Sequence, residues 1–288
     1  DLGVFYCFGC QAKGDAITFV REINHLDFVG AVEHLAARAG IQLTYTTAGE
    51  SEGRKRRSKL VTAMEQAVDW YHDRLLNAAD AGEARAYLRS RDFTGEMVRQ
   101  YKIGWAPDGW DALCSALKLP VEVAKDTGLG FVNARNKLQD SFRGRVLFPI
   151  FDVRGEPVAF GGRILPGHEG SKYKNSASSA IYDKSEVLYG LNWAKADIVE
   201  HDEVVVCEGY TDVIGFASAG IPRAVATCGT ALTDDHVRLL KRFTNRVVLA
   251  FDADAAGQNA AARVYEWEQK FEVEFAVANL PDGVDPAD

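Results

Sequence analysis

The sequence predicts an α/β fold, α+β overall, in which a mostly parallel sheet flanked by helices follows a mixed α+β segment and a small amino-terminal module. Three observations support this fold class. Strand and helix patterns alternate regularly after residue 203, apolar stretches in 145–164 resemble a long hairpin, and a Cys-x-x-Cys precedes two helical patterns. With 288 residues, 47% hydrophobic and 26% charged, the composition is typical of a globular chain with one large or two modest cores.

The amino-terminal module begins with a short strand at 4–10 that enters a turn carrying Cys7 and Cys10. Helices are predicted at 16–23, after a Gly-Asp cap, and at 27–40, where a glycine ends the apolar pattern. Two thiolates supply half of a tetrahedral zinc site. The alternative is a redox pair, although no βαβ pattern surrounds it.

A polar stretch at 46–59 has no hydrophobic periodicity and is predicted to be a linker. Its basic run, Arg54 to Arg57, could contact nucleic acid, but such runs are more often a solvated surface. Helices are predicted next, at 60–76, 84–90 and 95–101.

Charge is distributed unevenly along the chain, whose net charge is −8. Residues 135–184, which include the hairpin with its turn at 154–156, carry 9 basic and 5 acidic side chains. Residues 203–288 carry 14 acidic and 7 basic side chains. This arrangement suggests phosphate binding beside a metal site, and uneven surface solvation is the alternative that charge alone leaves open.

From residue 203 the chain reads as successive βα units, which predict a parallel sheet covered by helices. The predicted strands are 203–207, 223–227, 246–251 and 272–277, and the helices begin near Asp212, Asp234 and Gly257.

Carboxylates follow these strands, and the carboxyl ends of parallel strands form the functional edge of an open sheet. Glu208 and Asp212 follow the first strand, Asp252 and Asp254 follow the third, and Asp285 lies beyond the last. Converging carboxylates repel unless they hold protons or a cation, and hard oxygen ligands select Mg²⁺ or Mn²⁺. The alternative for a single acid such as Asp212 or Asp234 is a helix cap.

Three motifs in this region resemble the Toprim domain of bacterial DnaG-type primases: Glu208-Gly-Tyr-Thr-Asp212, Gly229-Thr-Ala-Leu-Thr233 and Phe251-Asp-Ala-Asp-Ala-Ala-Gly257. Upstream segments resemble the basic subdomain that precedes Toprim in that family, namely Phe142-Arg143-Gly-Arg145, Phe160-Gly-Gly-Arg163, Lys172-Tyr173-Lys-Asn175-Ser176, Lys184 and Leu188-Tyr-Gly-Leu191. With Tyr6-Cys-Phe-Gly-Cys10, which resembles the second half of the family's zinc ribbon, the similarity covers nearly the whole chain in family order.

The resemblance implies a DNA primase that makes short RNA primers on single-stranded DNA from ribonucleoside triphosphates with Mg²⁺ or Mn²⁺. It implies catalytic roles for Glu208, Asp252 and Asp254, with Asp212 and Asp285 as further metal ligands, and zinc on Cys7 and Cys10. The side chains implied to contact nucleotide or nucleic acid are Arg143, Arg145, Lys172, Tyr173, Asn175 and Lys184, and for Tyr173 a packed ring is the alternative. The implied parts are half of a zinc-binding domain (1–45), the linker (46–59), the basic subdomain (60–200) and an incomplete Toprim subdomain (201–288).

Other functions stay open at this point: a Toprim nuclease, a type IA topoisomerase, or a nucleic-acid-binding scaffold without catalysis. The topoisomerase would need a nucleophilic tyrosine in a large downstream region, and Tyr210 is expected to pack instead. The sequence begins without Met, so we expect a fragment of a longer protein, lacking the family's module that binds the DnaB-type helicase. We also expect a cytoplasmic location, because no apolar run reaches the roughly 20 residues of a membrane span and the five cysteines are odd in number.

Overall fold

The computed structural model of the protein describes residues 3–8, 12–24, 26, 28–41, 43, 48–227, 229–251 and 264–278. The chain divides into two compact units, Asp1–Lys55 and Arg56–Asp288. No helix among the described residues is both long enough and apolar enough to cross a membrane.

The first unit contains a small antiparallel ribbon and two helices. Strand β1 (Val4–Tyr6) pairs with β2 (Lys13–Asp15), and α1 (Ala16–Asn24) and α2 (Phe28–Ala39) follow. Asp15 caps α1 as predicted, because its Oδ1 accepts hydrogen bonds of 2.8 Å from both the backbone amide and the hydroxyl of Thr18. Gly40 ends α2 with a φ of 65°, a left-handed conformation that favours glycine.

Most of the segment predicted to be an irregular linker is helical. Residues 48–59 form the first turns of α3 (Ala48–Asn77). Alanine, glutamate, lysine and arginine all favour helices, so a polar segment can be helical without an apolar face. In the second unit Arg56 pairs with Asp126 at 2.7 Å, and Arg57 pairs with Asp152 at 3.1 Å. These ion pairs favour a structural surface over nucleic-acid contact for this part of the basic run.

An antiparallel sheet organises the basic part of the second unit. Its strand order is β3-β6-β7-β8, and β6 and β7 form the hairpin that the sequence predicts. Strands β4 and β5 form a separate two-stranded ribbon. The elements of this part are α4 (Gly82–Ser90), α5 (Gly95–Gln100), β3 (Gly104–Ala106), α6 (Ala112–Ala116), α7 (Val121–Asp126), β4 (Gly130–Val132), β5 (Leu138–Asp140), β6 (Arg145–Phe151), β7 (Pro157–Ile164) and β8 (Tyr173–Asn175).

A four-stranded sheet of order β10-β9-β11-β12, in which all three pairings are parallel, confirms the predicted βα architecture. Short valine-rich strands such as β9, buried along its whole length, are typical of a sheet covered on both faces. The elements are α8 (Leu191–His201), β9 (Val204–Cys207), α9 (Tyr210–Ser218), β10 (Ala224–Ala226), α10 (Asp234–Leu240), β11 (Arg246–Leu249), α11 (264–271) and β12 (Glu274–Val277).

One hydrophobic cluster joins the two sheets. Tyr210 of α9 is 2% exposed and stacks on Phe148 of β6, with ring centroids 5.2 Å apart. The backbone of Gly161 in β7 lies against the same ring, and a Cβ at this position would come within 2.1 Å of it. Only glycine allows this approach, so the Phe-Gly-Gly-Arg motif is a packing requirement of the seam between the sheets.

Candidate active site at the carboxyl edge of the parallel sheet

Glu208 lies at the carboxyl edge of the parallel sheet. It directly follows β9, is half-buried, and precedes α9, which begins at Tyr210. Because β9, β10 and β11 are parallel, the chain segments that follow them emerge at the same edge. The prediction that further acidic side chains from other strand ends join Glu208 at this edge concerns residues that the structure does not describe.

Asp212 is buried in the first turn of α9. Its Oδ2 accepts a hydrogen bond of 2.8 Å from the amide of Gly209, and its Oδ1 lies 3.2 Å from the hydroxyl of Thr211. These contacts correspond to the helix-cap alternative, and they hold the turn that carries Glu208. The other predicted metal ligands, Asp252, Asp254, Asp285 and Cys10, lie outside the described residues, and Cys7 is exposed just after β1.

Arg145 points into the protein. Its guanidinium donates to the carbonyl of Gly162 at 3.1 Å and to that of Ser171 at 3.0 Å, and burial lowers its pKa. It therefore ties β7 to the loop that leads into β8, and the exposed Lys172 follows directly on this loop. These contacts give Arg145 a role in placing Lys172, which the residue type alone does not reveal.

Arg143 is held on the surface by two partners. Its Nη2 lies 2.8 Å from Oδ1 of Asp108, and its guanidinium carbon lies 3.4 Å from the ring centroid of Trp110. The indole is 61% exposed, although large aromatic rings are usually buried. The sequence analysis did not single out Trp110, whose signal is the Pro-Asp-Gly-Trp turn.

Strand β8 places two predicted residues next to the acidic motif. Tyr173 packs its half-buried ring near Tyr210 and 5.2 Å from the guanidinium of Arg163, and burial raises its pKa. These contacts favour the packed-ring alternative for Tyr173. Asn175 accepts a hydrogen bond of 2.9 Å from the Tyr210 hydroxyl through its Oδ1. The basic segment is thereby joined to a residue two positions after Glu208.

Lys184 lies on an exposed turn whose backbone is bonded to α10. The carbonyl of Lys184 accepts from Nε2 of His236 at 3.1 Å, and the carbonyl of Ser185 accepts from the hydroxyl of Thr233 at 2.7 Å. His236 is fully buried, and burial lowers its pKa. Thr233 belongs to a motif noted in the sequence, whereas His236 was not predicted to have a role, and the Thr-x-x-His spacing at the start of α10 was the available signal.

One other group of metal-ligand side chains lies together among the described residues. The ligand atoms of Asp197, Glu200 and His201 on α8 lie within 4.8 Å of one another. Arg223 already lies 3.5 Å from Asp197. This group precedes β9 and is at the opposite end of the strand from Glu208, so it does not belong to the same site.

Three family models match the chain in order. Residues 1–51 match a CHC2 zinc finger, 70–195 match the DNA primase catalytic core, N-terminal domain, and 205–288 match a Toprim-like domain. The zinc-finger and Toprim matches both imply metal binding.

The RNA polymerase domain of Mycobacterium tuberculosis primase DnaG is 37% identical in sequence and superposes with a TM-score of 0.75, covering 80% of this chain and 78% of that one. The chain belongs to the bacterial DnaG-type DNA primase family. The Aquifex aeolicus primase, with its zinc-binding and RNA polymerase domains, is 33% identical with a TM-score of 0.72, over 99% of this chain and 69% of that one. The DNA primase of Streptomyces coelicolor is 44% identical over 99% of this chain.

This primase-family chain spans about half the length of the curated relatives it matches, 46% in the Streptomyces case. A solved DnaG catalytic domain with a TM-score of 0.75 and 37% identity, over 81% of this chain and 74% of that one, was determined bound to single-stranded DNA.

The Tyr210 hydroxyl provides a direct test of the contact between the two sheets. We expect Tyr210→Phe to keep the ring stack and to lose the bond to Asn175, which lowers the free energy of unfolding by about 1 kcal/mol. The nucleotide contact that the family resemblance implies for Asn175 predicts a rise of about fivefold in the Kd for a ribonucleoside triphosphate, because the Asn175 amide loses one of its orienting partners. Urea unfolding and nucleotide titration measure the two effects, and unchanged nucleotide affinity would show that the bond serves stability alone.

Proposed function

We propose that this chain is the RNA-polymerising core of a DNA primase, which joins ribonucleotides into a short primer on a single-stranded DNA template. The hydrogen bond between Asn175 and Tyr210 carries this proposal. It connects the strand with the predicted nucleotide contacts to the helix that follows Glu208. A nucleotidyl transfer enzyme needs its phosphate-binding side chains and its metal-binding carboxylates at one place, because both act on the reacting phosphate group.

The proposed metal ligands are Glu208, Asp212, Asp252, Asp254 and Asp285, with Mg²⁺ or Mn²⁺ as the ion. The donor set fits a hard cation, because it consists of carboxylate oxygens and Glu208 is half-buried at the sheet edge. When bound, the divalent ions lower the pKa of the primer 3′-hydroxyl and stabilise the pyrophosphate that leaves. Among these ligands Asp212 has a second task, since its bond to the Gly209 amide shapes the turn carrying Glu208.

The basic segment is proposed to bind triphosphate and template. Lys172 and Lys184 are exposed and supply positive charge, and Arg143 presents a guanidinium fixed against Trp110. Asn175 supplies an amide for sugar or phosphate oxygens.

Two of the proposed nucleotide-contacting residues, Arg145 and Tyr173, contact other parts of the protein. The buried guanidinium of Arg145 is proposed to act by holding the segment before Lys172, and Tyr173 to act by packing beside Arg163.

The full-length primase is proposed to use zinc and further partners. Cys7 and Cys10 would hold structural zinc together with upstream ligands, and the substrates would be single-stranded DNA and ribonucleoside triphosphates, with an RNA primer as product. A DnaB-type replicative helicase is the proposed protein partner of the full-length primase. A DnaG relative determined bound to single-stranded DNA supports the template assignment. We propose residues 1–45, 60–200 and 201–288 as zinc-binding, basic and Toprim parts, with 46–59 connecting the first two.

Template-directed incorporation of radiolabelled ribonucleotides tests the function. We expect short RNA on single-stranded DNA with Mg²⁺ or Mn²⁺, and none with EDTA, because the phosphoryl-transfer chemistry needs the divalent ion. Omitting the ribonucleotide complementary to the template should stop synthesis. Cleavage of the DNA without RNA synthesis would replace the primase proposal with a nuclease.

A further inference from the structure

The turn that carries Lys184 lies between the buried side chains of Tyr182 and Leu188 and is shaped by hydrogen bonds of its own. Residues 176–188 form no helix or strand, and within the turn the amide and hydroxyl of Ser185 bond to Oδ1 of Asp183 at 2.9 and 2.7 Å. These bonds fix the local shape of the turn. These bonds do not fix where the Lys184 backbone lies relative to the parallel sheet, although the end of the turn is held by Leu188, which is 1% exposed in the core of that sheet.

Two side chains at the start of α10 supply that placement. The hydroxyl of Thr233 donates to the carbonyl of Ser185 at 2.7 Å, and Nε2 of His236 donates to the carbonyl of Lys184 at 3.1 Å. Helix α10 follows the carboxyl end of β10, so its first turn lies at the same sheet edge as Glu208.

The imidazole is itself held in one orientation. Its Nδ1 accepts from the Thr233 amide at 3.3 Å, while the His236 amide donates to the Thr233 hydroxyl at 3.1 Å. This reciprocal cap requires a lone pair on Nδ1, so the proton is on Nε2, where it reaches the carbonyl of Lys184. A fully buried imidazole bonded on both nitrogens is a rigid connection between helix and turn.

We propose that His236 is a positioning residue for Lys184, fixing the backbone of the 183–187 turn on α10 so that the Lys184 ammonium meets a nucleotide phosphate at a set place beside the acidic edge. The inference rests on the proposed function for the role of Lys184. Beyond that function, His236 would influence nucleotide affinity from outside the acidic motifs.

The test compares His236→Leu with His236→Gln. Leucine removes both imidazole hydrogen bonds at similar volume, and glutamine keeps a side-chain donor that can reach the Lys184 carbonyl. We expect His236→Leu to speed amide hydrogen exchange in 183–187 about tenfold without a comparable change in β7, because the turn loses a buried bond. His236→Gln should restore slow exchange, and Arg238→Ala, on the exposed face of α10, should leave exchange in the turn unchanged.

Affinity for a fluorescent ATP analogue, measured with Mg²⁺ present, supplies the second readout. We expect the Kd to rise about tenfold in His236→Leu and about tenfold in Lys184→Ala, with the double variant close to either single one, because both changes remove the same contact. Additive effects, or unchanged exchange in the turn, would overturn the positioning role. Faster exchange in the turn with no effect of Lys184→Ala on the Kd would instead remove Lys184 from the nucleotide site, and with it the inference.

Discussion

Replacing Glu208 with glutamine is expected to reduce primer synthesis by about 10²- to 10³-fold while the chain stays folded. Glutamine has the same shape but lacks the negative charge that a hard divalent cation requires. The residue is half-buried after β9, so the change leaves the buried part of the strand untouched. Ribonucleotide incorporation measures activity, and electron paramagnetic resonance of Mn²⁺ measures ion binding, which should weaken in parallel.

Glu203→Gln is the matched control for this prediction. Glu203 immediately precedes the same strand at the opposite end and pairs with Arg223 at 3.0 Å and with Arg246 at 3.5 Å. Its loss should cost about 1 kcal/mol of stability and leave activity within roughly threefold. If Glu208→Gln retained wild-type synthesis, or if both variants lost activity equally, the carboxylate at the sheet edge would have no special role.

Asp140→Ala is expected to lower the free energy of unfolding by about 3–5 kcal/mol, a fall in Tm of roughly 6–20 °C for a unit of this size. Asp140 is 3% exposed, and its two oxygens accept from the amides of Leu113 at 2.8 Å and Cys114 at 3.0 Å. Alanine leaves both amides buried without an acceptor. Calorimetry measures the change.

Asp111→Ala separates this effect from ordinary helix capping. Asp111 occupies the N-cap position of α6, but its side chain makes no cap hydrogen bond and bonds the Ser115 hydroxyl at 3.0 Å on the surface. We expect a loss below about 1 kcal/mol. Asp140→Asn keeps one carbonyl oxygen, so its loss of stability should lie between those of the two alanine variants. Equal losses in Asp111→Ala and Asp140→Ala would contradict the role of Asp140 as acceptor for the amides of α6.

The parallel sheet was predictable because its signals are local. Each strand is a short apolar run, the polar Thr233 and Asp234 mark the start of α10, and a parallel sheet requires strands and helices to alternate. The position of Glu208 follows from the same rule, since a residue directly after a buried strand must lie at the sheet edge. The hairpin of β6 and β7 was predictable for a similar reason, with two apolar strands on either side of a glycine turn.

Contacts between distant residues were not predictable from local patterns. The sequence gives no indication that Asp140 rather than Asp111 serves the amides of α6, because those partners are 26 and 27 residues away. The direction of Arg145 is also set by tertiary packing, and the basic character of its segment suggested a surface role. The predicted linker was wrong in conformation because hydrophobic periodicity detects only helices that have an apolar face.

The shared core around Tyr210 bears on how such a protein could be divided or recombined. The ring stacks on Phe148 and meets Tyr189 edge to face at 4.8 Å, so the helix after Glu208 packs on a strand of the other sheet. Excising the Toprim-like part at its sequence boundary would open an aromatic face to water. A graft of that part onto another partner would therefore have to cover the Tyr210 ring again, as Phe148 and Gly161 do in this chain.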